Sequence, residues 1–149
     1  MKTKWIATVA GVLALTGGTT MAHSETVWKQ MTVKEQGQLG KTTVIDLGKK
    51  GKSAGDLTVW NEPVVDEAEK PIGTSNGFCI VTLPGKLSEC RWTLSLHDGT
   101  ISLAGTETQK GTSPVAVVGG TGTYAGITGE AAVTPQTDGT WIIQMRFKK

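Results

Sequence analysis

The 149-residue chain sets 15 Lys and Arg against 13 Asp and Glu, and 38% of its residues are hydrophobic. That is the length and composition of one ordinary globular domain, with no cationic excess to hold nucleic acid. No apolar run approaches the roughly 20 residues that a helical membrane span requires.

Residues 1–24 read as a secretory signal peptide. Lys2 and Lys4 precede an apolar stretch over residues 5–15, and small residues lead to Met21-Ala22-His23-Ser24. Cleavage is placed after Ser24, with Ala22 the next choice. An exported, periplasmic or secreted protein is expected, with residues 25–149 as its single domain. The leader takes two basic and no acidic residues, so the mature chain is formally neutral and the sequence pI of about 8.6 partly reflects the leader. Lys49, Lys50 and Lys52 read as a solvated loop rather than an anion patch.

The mature chain is rich in Gly and shows no 3.6-residue apolar period, which predicts all-β structure. Val27, Met31 and Val33 share a parity with Glu35, so a carboxylate ends an otherwise apolar strand face. Its bland role would be a rim carboxylate bonded to a Lys or a backbone amide. Residues 42–47 form a second strand and 56–62 a third, stopped by Pro63. Residues 64–76 read as a long acidic connection. Residues 78–83 form a fourth strand, turned by Pro84-Gly85.

Residues 90–97 alternate cleanly, with Cys90, Trp92, Leu94 and Leu96 on one face. Asp98-Gly99 signals a hairpin into 100–106. Strands over 115–118, 127–134 and 141–147 complete eight or nine. Regular spacing favours a single closed antiparallel β-barrel of about eight strands over an open sheet with bare edges. Trp28, Trp60, Trp92 and Trp141 are expected in its core, with Trp60 placed to line a mouth beside Asn61 and Glu62.

Cys79 and Cys90 fall on neighbouring strands of the hairpin centred on Pro84-Gly85, both on the apolar face and nearly opposite. In an exported protein that arrangement predicts a disulfide. His97 is the lone histidine beyond the leader, which excludes a multi-His metal site and speaks against a Ser-His-Asp triad. No metal and no cofactor are expected.

The densest motif is VAVVGGTGTYAGITG, residues 115–129. Its glycines, Gly119, Gly120, Gly122, Gly126 and Gly129, point to backbone at positive φ or to backbone approaching backbone too closely for a Cβ. A nucleotide-binding glycine turn needs a helix, another strand and an acidic residue about 20 positions on. Too little chain follows for a βαβ unit, so the motif reads as a tight corner in a β fold.

GGTGxYxGxxGE resembles the C-terminal motif of the allene oxide cyclase/dirigent superfamily of β-barrels. The resemblance extends upstream through Gly55-Asp56, Asn61-Glu62-Pro63, Gly77-Phe78-Cys79 and Asp98-Gly99-Thr100-Ile101. It implies a barrel that binds a small apolar or aromatic molecule, with Trp60 and Glu62 at the ligand. On the cyclase branch it implies an isomerase. Glu35 would stabilise the positive charge of an opening epoxide, and Cys79 would act beside it if not disulfide-bonded. The cyclase's asparagine after that glutamate falls here on Gly37. On the dirigent branch it implies radical orientation in the barrel mouth. Both branches imply a homotrimer. A third reading is an interaction module whose barrel is filled with side chains.

Overall fold

The computed structural model describes residues 27–149; the predicted leader and its cleavage site lie outside the described residues. Nine strands follow in chain order: β1 (Lys29–Glu35), β2 (Lys41–Ile45), β3 (Leu57–Val65), β4 (Pro71–Leu83), β5 (Leu87–Leu96), β6 (Gly99–Thr108), β7 (Ser113–Gly120), β8 (Thr128–Pro135) and β9 (Trp141–Lys148). Consecutive strands from β2 to β9 pair as antiparallel neighbours. β1 pairs with β9 along its whole length and with β3 at its last two residues. Eight strands therefore close a ring, while β2 pairs with β3 alone and stays outside it. The closed antiparallel barrel expected from the alternation is the observed architecture. Among the described residues no helix is long and apolar enough to cross a membrane.

Inward positions at one end of the barrel are apolar and tightly buried. Val33, Leu94, Ile101, Leu103, Val117 and Ile143 form the centre of this packing, and none is more than 2% exposed. Tyr124, from the turn between β7 and β8, meets Phe147 edge-on at 6.3 Å between ring centres, a geometry that aromatic quadrupoles favour. Trp28 departs from the expected core position. It lies 41% exposed, beneath the Arg146 guanidinium at 4.3 Å from its ring centre.

Residues 64–76 are not a long connection. β3 continues to Val65, a tight turn follows, and β4 is already paired from Pro71. Asp66 builds that turn: its side chain accepts from the N–H groups of Ala68 and Lys70, both at 2.9 Å. Alternation is invisible in β4 because its inward residues there are Gly73, Ser75 and Gly77. Gly77 stands in register between Trp60 and Trp92. A Cβ on it would sit 2.3 Å from Trp92 Cβ and 2.6 Å from Trp60 Cζ2. The two indoles occupy the volume that an apolar β4 side chain would have filled.

Pro63 does not end its strand either. Its carbonyl accepts from Gln36 N–H at 2.9 Å, so that edge faces the junction between β1 and β2. There the ladder skips from Val64 to Asn61 on β3 while residues 36–40 pass by without pairing. A missing N–H costs nothing in such a gap.

The glycine corner contains both situations that its composition predicts. Gly122 has φ +60°, and a Cβ there would lie 2.3 Å from the Asp98 carbonyl oxygen. Gly126 has φ +81° with open space around it. A short 3-10 turn, Gly122–Tyr124, then leads toward β8, so no helix offers its N-terminus to a phosphate. Gly126→Ala should cost about 1 kcal/mol for its left-handed backbone alone. Gly122→Ala should cost clearly more, because backbone must also move. Chemical denaturation of the two variants measures the difference, and equal losses would contradict this corner geometry.

Candidate functional site

The end of the barrel opposite the Phe147 packing holds a cavity of about 540 Å³. The interior is therefore not filled by side chains. Trp60, Trp92 and Trp141 wall it, and Glu35, Glu62 and Glu107 project into it from three strands. The pairing register assembles this wall. Trp60, Gly77 and Trp92 lie side by side on β3, β4 and β5, and Glu35 lies opposite Trp141. The Trp60 and Trp92 rings meet tilted, 6.4 Å between centres.

Glu35 is the last residue of β1, and its backbone is paired with Trp141 on one side and Val64 on the other. This position at the ring closure leaves the residue 5% exposed, and its Oε1 has no hydrogen-bond partner. Burial raises its carboxyl from the ordinary 4.5 to about 8; the Ser75 hydroxyl works the other way, and the charges of Glu62 and Glu107 add to the rise. Ser75 is itself oriented by Trp60, whose Nε1–H donates to Ser75 Oγ at 3.1 Å. Among the described residues no lysine or backbone amide partners Glu35 Oε1. Lys34, its neighbour in sequence, instead pairs with Glu69 at the surface. Burial thus favours the protonated form of this group over the fixed negative charge that the cyclase resemblance implies.

Glu62 is 6% exposed and accepts from Thr42 Oγ1 at 2.9 Å. The passing segment 36–40 presses against it: a Cβ on Gly40 would lie 2.5 Å from Glu62 Cγ. At Gly37, where the cyclase has asparagine, a Cβ would approach both Glu62 carboxylate oxygens within 3.5 Å. Thus Glu62 occupies the polar environment beside Glu35.

Glu107, raised by burial to about 7, is the site residue that the sequence reading missed. Its signal was the same as that of Glu35. Ile101, Leu103 and Gly105 share its parity on β6, which extends two residues beyond the predicted end. Ser75 and Ser88, both buried, carry no such signal because hydroxyls are common on either face of a strand.

Cys79 and Cys90 are direct cross-strand partners and are joined in a disulfide that lines the cavity. The bridge removes the thiol that catalysis by Cys79 would require. Together with Glu107 the two sulfurs form a compact group of metal-ligating atom types, all within 4.8 Å. Disulfide sulfur offers no thiolate, so this group holds no metal while oxidised. In the chain-entropy account, closing an 11-residue separation contributes about 3 kcal/mol.

The raised carboxyls have a sign in stability. Glu35 binds its proton more tightly in the folded than in the unfolded chain. Its contribution is complete below about pH 4.5 and is lost as the pH rises to about 8. Glu35→Gln should therefore be close to neutral near pH 4.5 and stabilising near pH 8. Urea denaturation at both values tests this. An equal effect at the two pH values would show that the carboxyl titrates normally.

Residues 29–144 match the family described as the allene oxide cyclase barrel like domain. No curated protein matches the chain by sequence. Among solved structures, a pyocyanin demethylase is similar with a TM-score of 0.67 at 25% identity, over 81% of this chain and 99% of that one. A pterocarpan synthase dirigent protein gives 0.64 at 16% identity, over 83% and 84%. The Diels-Alderase AbmU from Streptomyces koyangensis gives 0.63 at 14% identity, over 86% and 71%. The latter two likenesses concern the fold alone. Since the family match spans nearly the whole barrel, from the first residue of β1 into β9, the chain belongs to the allene oxide cyclase barrel-like family.

Proposed function

We propose that the protein is an exported barrel that binds a small, flat apolar or aromatic molecule in its open end. The observation that carries this reading is the cavity of about 540 Å³ walled by Trp60, Trp92 and Trp141. Indoles offer large flat surfaces, and a few polar groups on an otherwise apolar wall are what orients a small ligand. The similar structures bear the names of a demethylase, a dirigent synthase and a Diels-Alderase, all chemistry on organic molecules. The leader pattern at residues 1–24 and the disulfide support export.

Glu35 favours a second reading, an isomerase or cyclase on a hydrophobic substrate. Its buried, unpartnered oxygen and raised pKa of about 8 suit a general acid that donates to a substrate oxygen. A role as fixed anion would not suit them. The trimer implied by the family resemblance belongs to the proposal too, and the outward, partly exposed Phe78 and Ile80 of β4 support it. Light scattering at micromolar concentration should report three chains; a monomer would end that part alone.

The binding test uses a panel of neutral two- and three-ring aromatics, acridine among them. Saturable quenching of tryptophan fluorescence is expected. Trp141→Ala should weaken binding roughly tenfold, as expected for loss of one stacking face. Native mass spectrometry of freshly purified protein should then reveal any retained ligand. A full panel without saturable quenching would refute the binding reading.

A further inference from the structure

We infer that the molecule taken into the cavity is a flat organic cation, held against the indoles with the carboxyls of Glu35, Glu62 and Glu107 around its charge. This deepens the aromatic-binding reading above and rests on it. Among the described residues three carboxyl groups line the cavity, and no Lys, Arg or His lines it. Facing Glu35 are Glu62 from β3, Ser75 from β4, Glu107 from β6 and the Trp141 indole from β9. None brings a positive charge. The neighbouring lysines are accounted for elsewhere: Lys34 is bound to Glu69, and Lys41 is exposed on β2.

One buried polar atom remains unanswered at this site: Glu35 Oε1 has no partner although the residue is 5% exposed. Burial without a partner is costly, so this carboxyl awaits something the folded chain does not supply. An anionic ligand would meet three acids and no base. A neutral one would leave the carboxyls facing each other as before. A cation balances them, and the indole faces add attraction to positive charge.

A metal ion is the wrong shape for this charge. The oxygens of the three carboxyls do not all approach within 4.8 Å of one another, which is the span one ion can collect. The cavity volume of about 540 Å³ also fits an organic ion of several rings. Charge and aromatic surface then coincide in one ligand.

Proton linkage gives this inference its own signature. In the empty barrel near neutral pH, Glu35 and a share of Glu107 hold protons, and an arriving cation favours their ionised forms. Binding must then release protons, and affinity must rise as the pH rises through about 7 and 8.

The test compares N-methylacridinium, a permanent cation, with acridine, its neutral counterpart at pH 8. Calorimetry in two buffers of different ionisation enthalpy counts released protons. The cation should bind roughly tenfold tighter or better at pH 8. The affinity of the permanent cation should itself fall toward pH 6, with protons released on its binding between those limits. Glu107→Gln should weaken the cation and leave acridine almost unchanged; Glu35→Gln serves as the second variant if the first fails to fold. Should acridine bind as tightly as the cation, or the cation bind without pH dependence, this inference falls and the aromatic-binding reading survives. Should neither bind while another aromatic of the panel does, this inference falls and the aromatic-binding reading survives; should no compound of the panel bind, both fall together.

Discussion

The ring closes at Glu35. Its backbone is held between Trp141 and Val64, and through it and Lys34 the last strand of the chain is tied to the third. Closure removes the sheet edge that an eight-stranded meander would otherwise expose. It also fixes the direction of the Glu35 side chain, because strand parity sends it inward with Val33. An acid at the seam of a closed barrel cannot retreat to solvent, so its desolvation follows from topology. The floor beneath it is aliphatic, and the flanking strands bring up indoles, so little in the environment would favour its charge.

A buried glutamate can serve as a fixed anion only if something offsets its desolvation. Here the nearest carboxyls make matters worse, and a single serine hydroxyl opposes them. Burial therefore favours the protonated form of this group, in contrast to the fixed charge that the cyclase resemblance implies. The side chains around this acid, rather than the fold, decide its protonation. Gly37 belongs to this difference, since the space beside it is taken by another carboxylate rather than an amide.

Much of this was legible in the sequence. Period-two alternation identified most strands, and Cys79 and Cys90 were placed opposite each other by counting from one turn. Glu35 was visible as a carboxylate ending an apolar face. β4 was not legible, because its inward residues are small and the volume belongs to Trp60 and Trp92 from its neighbours. That is tertiary packing, which no single strand records. Pro63 misled for a related reason, since its tolerance depends on a gap created by the distant segment 36–40. Glu107 was missed through a strand end drawn short, and the convergence of three carboxyls on one cavity required the register of the whole ring.

β2 has a mechanical consequence through its place outside that ring. Five residue pairs with β3 hold it, and none of them contributes to barrel closure. Its Thr42 nevertheless holds Glu62 at the cavity rim. The hydroxyl that positions Glu62 is therefore carried by a strand that the closure of the eight staves does not need.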